Sequence, residues 1–300
     1  MILPESIEIV EVSPRDGLQS ESVVLTTEDK VILINSLISS GLSNIEATSF
    51  VNPKLVPQLA DAESLLEKLN WSDNVKYNAL IPNLKGFERA QNTKLKDITI
   101  FISASESHNK ANVNCSISES LKKLELVCSE AVKKRINIRG EIAVSFGCPF
   151  EGDIKFDNVV FIIKSLCAMG CSEIALADTI GIATPKQTYK MFSDVRNILP
   201  EIKFSAHFHD TNRMALSNIL AAMMAGVIIF DSSIGGLGGC PFISGATGNI
   251  ATETVVYMMN KMDINTGVNI RKLMISIQLL EKLFNRNIKL IPELEKIKKD

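Results

Sequence analysis

Eight short runs rich in β-branched and aromatic residues recur along this chain, and a stretch with helical periodicity separates each from the next. The runs are 7–12, 44–50, 75–81, 98–104, 138–146, 173–178, 203–209 and 226–233. The intervening stretches include 28–41, 116–135, 158–170 and 215–226. Several end at a glycine (Gly41, Gly170, Gly226), the usual C-terminal stop of a helix. Strands joined through helices run parallel, because the crossover returns the chain to the same end of the sheet. An open doubly wound sheet would place a GxGxxG turn after its first strand. Here the first run leads into Ser13-Pro14-Arg15-Asp16-Gly17 instead. Eight such units within about 250 residues fit a closed (β/α)8 TIM barrel. The expected organisation is therefore α/β, one TIM-barrel domain over residues 1–300, with 265–300 as an amphipathic helical extension. That extension packs on the barrel or on a partner subunit. A chain of 300 residues with 46% hydrophobic content can bury such a core.

The remaining composition excludes more than it assigns. The formal net charge is -2, from 32 basic and 34 acidic residues, so no basic face for nucleic acid is expected. No apolar run is long enough to span a membrane. The opening MILPESIEIV has neither a basic region with a long apolar run nor an Arg-rich transit pattern, which predicts a cytoplasmic protein. The six cysteines are expected to be free thiols in a reducing compartment. Cys167 and Cys171, four apart on a predicted helix, have no second pair or nearby histidine to complete a zinc site and are read as structural.

In a barrel of this kind the chemistry sits at the C-terminal ends of the strands, and the ionisable residues fall there. Arg15 and Asp16 follow the first run, Glu46 lies in the second, Asp178 ends the sixth, and His207 and His209 end the seventh. The eighth leads into 235–248, which holds six of the sixteen glycines together with Cys240, and Asn249 follows. His207 and His209 are two of only three histidines. Side chains at i and i+2 of a strand share a face, so both imidazoles turn into one cavity, which suits a metal. Asp16 adds a carboxylate and the Asn249 amide oxygen is a candidate fourth donor. This N/O set suits Mg2+ or Mn2+ and also admits iron. Arg15 beside a metal suits an oxygen on which negative charge develops, and an ion pair with Glu46 would orient it. Cys240 shares the tetrapeptide GCPF with Cys148. The glycine-dense setting makes Cys240 the candidate reactive thiol, and Cys148 is expected to shape a turn in the wall. His108, in the polar stretch SESHNKANVN, is expected to be a solvated loop residue.

These residues lie within longer segments, VEVSPRDGLQSE (10–21), IEATSFVNPKLVPQLAD (45–61), IPNLKGFE (81–88), NVNCSISES (112–120), FGCPFEG (146–152), ADTIGIATP (177–185), AHFHDT (206–211) and SSIGGLGGCPFISGATGNIATE (232–253). Over nearly its whole length the chain resembles the 3-hydroxy-3-methylglutaryl-CoA (HMG-CoA) lyase family, and the last segment matches that family's signature loop. The resemblance implies a divalent metal on Asp16, His207, His209 and Asn249. It implies retro-Claisen cleavage of HMG-CoA to acetoacetate and acetyl-CoA, with Arg15 at the enolate oxygen. Cys240 and His207 are then the candidates for proton transfer, and Glu46 and Asp178 orient the site. The acyl-CoA substrate would rest outside the mouth, near Lys85 and Asn112, and the expected assembly is a homodimer. Four places depart from the family pattern, Glu141 for Tyr, Ala175 for Ser, Phe208 for Cys, and Asn212-Arg213-Met214 for Tyr-Gly-Gln. Glu141 would either pair with Arg139 or reshape the pocket. The alternatives are a lyase for a related branched 3-hydroxyacyl-CoA, a condensing synthase of the same superfamily, and an acyl-CoA or metal binding protein without turnover.

Overall fold

In a computed structural model of the chain, residues 3–239 and 248–299 are described. Cys240 therefore lies outside the described residues. Each of the eight runs coincides with a strand to within a few residues: β1 (Glu8–Glu11), β2 (Asn44–Ser49), β3 (Lys76–Leu80), β4 (Asp97–Ser103), β5 (Asn137–Ala143), β6 (Glu173–Asp178), β7 (Lys203–Phe208) and β8 (Ile229–Ser232). Every strand pairs in parallel with the next, and β1 pairs with β8, so the sheet closes into a barrel in sequence order. Two strands fall well short of their runs. β5 stops because Val144 takes a positive φ of 51° and turns its N–H to Thr179 Oγ1. β8 starts late because Gly226, at φ 85°, is spent ending the preceding helix.

The helices among the described residues are α1 (Thr27–Ser39), α2 (Ala62–Lys68), α3 (Leu84–Ala90), α4 (Glu106–Val113), α5 (Ile117–Lys133), α6 (Phe156–Ala168), α7 (Pro185–Ile198), α8 (Ala215–Met224), α9 (Thr252–Lys261), α10 (Ile270–Phe284) and α11 (Pro292–Lys299). Local chemistry sets their starts. Thr26 with Asp29 and Ser116 with Glu119 form reciprocal capping boxes before α1 and α5. Such a cap stabilises a helix by about 1 kcal/mol. Cys171 falls past the end of α6, beyond the helix expected to carry both it and Cys167, because Gly170 at φ 103° has stopped that helix.

The alternation of each strand divides its residues between two environments. Outward-facing Ile45, Ala47, Ile98, Ile100, Ile138, Ile142, Ile174, Phe204 and Phe230 are buried against the helices in one continuous apolar core. The inner face is mostly polar, with Asn44, Glu46, Asn78, Thr99, Arg139, Ser205, His207 and Asp231 all buried. A barrel filled this way must satisfy its charges internally, and that requirement builds the site. Of the two placements open for 265–300, the structure shows α10 packed on the barrel's own α1. Ser36 and Ser276 share a 2.6 Å hydroxyl contact there, and Leu273, Ile277 and Leu280 are buried. Beyond α10, Arg286 grips Glu21 with two nitrogens at 2.6 and 2.9 Å.

Candidate active site

The first element of the site is a tight turn. After β1 the Val12 carbonyl accepts hydrogen bonds from the N–H groups of Arg15, Asp16 and Gly17, and Ser13–Gly17 form a single π-type turn. Such turns recur at functional sites because they re-aim consecutive side chains. Both Arg15 and Asp16 are thereby turned into the barrel and buried. Gly17 permits this, since a Cβ there would sit 2.9 Å from Leu237 Cβ and 3.0 Å from Ser233 Oγ. Each Arg15 nitrogen meets a different carboxylate. Nε donates to Glu46 at 2.5 Å and Nη1 to Asp16 at 2.6 Å, while Nη2 reaches Glu141 at 3.5 Å. The Glu46 pair expected from the sequence is therefore present. Glu141 does not pair with Arg139, which is held instead by Glu173 and Asp231 at 2.9 and 2.7 Å. Those partners lie closer to its layer of the barrel than the strand neighbour two residues on.

His207 and His209 come from β7 and the residue just past it, with ring centroids 5.2 Å apart. One ligand atom each from Asp16, His207 and His209 lies within 4.8 Å of the others, and all three residues are buried. Asn249 reaches the same place by backbone pairing. It bridges His209, and the flanking bonds from Asp210 N to the Gly248 carbonyl and from Ile250 N to the Phe208 carbonyl clamp the returning chain onto β7. Its Nδ2 donates to Asp16 Oδ2 at 2.7 Å and to the Leu237 carbonyl at 3.0 Å, which leaves the amide oxygen as a candidate donor. Gly238, at φ 117°, allows that approach, because a Cβ there would lie 2.5 Å from Asn249 Nδ2.

The electrostatics separate the two histidines. Burial pulls the His207 pKa down, but the bond to Asp231 and the charges of Glu141 and Asp16 outweigh it and hold it near about 9. Burial, reinforced by the His207 and Arg15 charges, pushes His209 to about 4. Burial opposes the charged form of Asp16 too, yet Arg15 and both histidines hold its carboxyl below the ordinary range.

The remaining predicted residues spread around the mouth. Asp178 ends β6 and accepts the N–H groups of Ile182 and Ala183 at 3.0 and 2.9 Å, so it braces the loop before α7. Burial lifts its pKa to about 6. Lys85 in the first turn of α3 and Asn112 near the end of α4 are both exposed, on segments that follow β3 and β4 at the mouth. Cys148 is buried, its thiol 3.0 Å from Ser105 Oγ and its backbone bridged to Gly152, which makes it part of a turn. His108 corrects the sequence reading. Ser105 caps α4, and the first turn carries His108 inward to 1% exposure with Nδ1 2.8 Å from Ser103 Oγ. Among the departures, Phe208 packs outward on Phe146 at 5.9 Å between ring centroids, on the far side of β7 from the two histidines. Glu141 and Ala175 are register partners on the inner face, so those two changes share one layer.

Residues 6–280 match the HMGL-like family. The chain belongs to that family. It is 47% identical over 272 residues to a mitochondrial hydroxymethylglutaryl-CoA lyase of Macaca fascicularis, covering 91% of this chain and 84% of that one. It is 42% identical over 273 residues to a 3-hydroxy-3-isohexenylglutaryl-CoA/hydroxymethylglutaryl-CoA lyase of Pseudomonas aeruginosa, covering 91% of each. A solved HMG-CoA lyase of Acinetobacter baumannii, in complex with coenzyme A and 3-methylmalate, superposes with a TM-score of 0.90 at 38% identity, over 95% of this chain and 93% of that one.

The HMGL-like family is metal-dependent, and the residues in this chain fit a metal. Two imidazoles and one carboxylate converge. His207 Nδ1 is occupied by Asp231 Oδ2 at 3.1 Å, which leaves Nε2 as its donor. His209 Nδ1 is buried with no hydrogen-bond partner, the condition of a nitrogen awaiting a ligand. Sequence reasoning did not single out the supports beneath this HMGL-like site. Glu11 accepts from Ser13 N, Ile234 N and Thr252 Oγ1, and Glu253 accepts from Gly235 N. Together these carboxylates fix the root of the glycine-dense segment. The available signal was acidic residues inside otherwise apolar runs.

Proposed function

We propose that this chain cleaves HMG-CoA to acetyl-CoA and acetoacetate with the aid of Mg2+ or Mn2+. The observation that carries the reading is the buried Asp16, His207 and His209 trio beside Arg15, in a family member whose relatives are lyases named for that substrate. Asp16, His207, His209 and the Asn249 amide oxygen would hold the ion. A bound divalent ion acts as a Lewis acid and makes a hydroxyl or carbonyl oxygen beside it more acidic or more polarised. Arg15 stabilises the thioester oxygen as the C2–C3 bond breaks and its electron pair moves into the acetyl-CoA enolate. Nη2 is the nitrogen placed to do this, since its 3.5 Å contact with Glu141 is the loosest of the three. Glu46 fixes the guanidinium through Nε, and Asp178 supports the mouth. The reaction takes one proton from the C3 hydroxyl and gives one to C2 of the enolate, and Cys240 is the group that moves a proton here. His207, the other candidate, has Nδ1 on Asp231 and Nε2 toward the ion. Coenzyme A rests on the exposed segments around Lys85 and Asn112.

A related branched 3-hydroxyacyl-CoA is the second reading, and the Glu141 and Ala175 layer favours it because both change the inner wall next to Arg15. The Pseudomonas aeruginosa relative is itself named for two acyl groups. Incubation with HMG-CoA and Mg2+ or Mn2+, with and without chelator, tests the function. Metal-dependent release of acetoacetate is expected. Tight acyl-CoA binding without cleavage in metal-replete protein would instead make this a binding protein, and a panel of branched acyl-CoAs ranks the substrates.

The protein acts as a homodimer in the cytoplasm. Exposed Leu126 on α5 and Phe161 on α6 are apolar side chains a partner could cover, and the five described cysteines are unbridged. Sedimentation of the purified protein reads the assembly directly. No helix of the described residues is long and apolar enough to cross a membrane.

A further inference from the structure

We infer that Asp231 is a positioning residue for His207, and that Arg139 anchors Asp231 for this task. The inference rests on the reading of His207 as a metal ligand. β7 and β8 are neighbours, and their register sets His207 opposite Asp231 on the inner face. Asp231 Oδ2 lies 3.1 Å from His207 Nδ1, and Oδ1 accepts from Arg139 Nη2 at 2.7 Å. Arg139 crosses from β5 and is held in turn by Glu173 at 2.9 Å and Ser205 Oγ at 3.1 Å. Asp231 is 2% exposed and Arg139 7%, so water does not compete for these bonds.

The chemistry of the three groups gives the chain a direction. A guanidinium keeps its protons under all working conditions, so it can only donate to Asp231. The carboxylate is then an acceptor on both sides, and His207 must place an N–H on Nδ1 to meet it. Only Nε2 is left to offer a lone pair, and the ring cannot turn over without losing the bond. His209 lacks such a partner, since its Nδ1 is buried and unbonded. One histidine is thus fixed by the protein in advance, and the other is fixed by what it binds. An isosteric Asp231→Asn change would let an amide N–H face Nδ1. The proton would shift to Nε2, the nitrogen the metal needs.

Removing a hydrogen-bond partner of a metal-ligating histidine weakens metal binding by roughly 10- to 100-fold. The test is Mn2+ titration of chelator-stripped full-length protein, followed by the electron paramagnetic resonance signal of free Mn2+. Asp231→Asn should lose affinity by that factor while circular dichroism stays that of wild type. Affinity within twofold of wild type in a folded variant overturns the inference. Should the variant not fold, wild-type protein labelled with 15N-histidine and loaded with Mg2+ gives an independent answer. His207 should show a protonated Nδ1 and a bare Nε2, and the opposite tautomer overturns the inference. Asp16→Ala separates the two levels. If it binds Mn2+ like wild type, the metal site itself is misread. If it loses Mn2+ while Asp231→Asn retains it, only the role of Asp231 fails.

Discussion

Arg15 meets three carboxylates through three different nitrogens, and this constrains what can replace it. Lysine offers a single ammonium and could not serve Glu46, Asp16 and an incoming thioester oxygen together. Arg15→Met should therefore keep Mn2+ binding but lower kcat by roughly 10^2- to 10^3-fold, the usual loss when an oxyanion donor is removed. Cys240→Ala should likewise bind metal and lose most lyase activity. Acetoacetate assays on both proteins check this, and near-wild-type rates would refute the assigned roles. His207 and His209 could be picked out in the sequence because alternation on a strand and the scarcity of histidine both pointed inward, and Asp16 because it follows the C-terminal end of the first strand. Asp231 and Arg139 could not, because their value comes from which layer of β5 faces which layer of β8. That depends on register, and no local pattern in GVIIFDSS or NIRGEIA reports it. His108 was misjudged for a related reason, since a polar stretch hides the one capped turn that buries a ring.

At the level of elements, the turn after β1 and the segment after β8 lean on each other. Gly17→Ala would drive a Cβ against Leu237 and Ser233. Overpacking of this kind costs about 1–3 kcal/mol, and here the displaced element is the one that aims Arg15 and Asp16. A lower thermal midpoint together with lost activity is expected, and an unchanged midpoint would show that the turn has room to spare. Glu253, in the first turn of α9, gives the same junction a dependence on pH. Burial raises its carboxyl to about 7 from the ordinary 4.5, against the opposing bond from Gly235 N–H. The folded state thus binds this proton more tightly than the unfolded state. Its stabilising contribution is full below about pH 4.5 and is lost as pH rises through about 7. The loss is on the order of 3 kcal/mol. Glu253→Gln keeps the acceptor and removes the titration. Wild type and variant should melt together near pH 4.5 and diverge toward pH 8, with the variant the more stable. Parallel melting curves at both pH values would show that Glu253 titrates normally. The strands and helices themselves were readable because most outer strand faces are apolar and several helices stop at a glycine. Their ends were less so, since β5 stops at Val144, a β-branched residue held at positive φ by a distant threonine.

For the molecule as a whole, the question is whether the C-terminal helices share the barrel's stability or only decorate it. α10 lies on α1 through Ser276, Leu273 and Ile277, and its Leu280 reaches the root of the β8 loop. A Cβ on Gly235 would stand 3.0 Å from Leu280 Cδ2 and 2.5 Å from Ile288 Cδ1, so the extension and that loop are in close contact. Arg286 carries the connection on to Glu21, in the loop between β1 and α1. The extension therefore touches both segments that frame the site, and we propose that residues 1–300 unfold as one unit. Leu280→Ala tests this away from the reacting groups. The side chain is fully buried, so its truncation should cost about 2–5 kcal/mol. In a single cooperative unit that cost lowers the one unfolding midpoint, by roughly 1.5–2 °C per kcal/mol for a chain of this size. If α10 were an independent layer, calorimetry would show a small early transition that moves while the main one stays in place. Fluorescence of Trp71, which sits in the β2–β3 connection with its ring 5.0 Å from Tyr77, reports the barrel alone. Coincidence of that signal with the calorimetric midpoint in both proteins is the expected result, because a helix that supports the loop after β8 cannot leave without loosening the barrel beneath it.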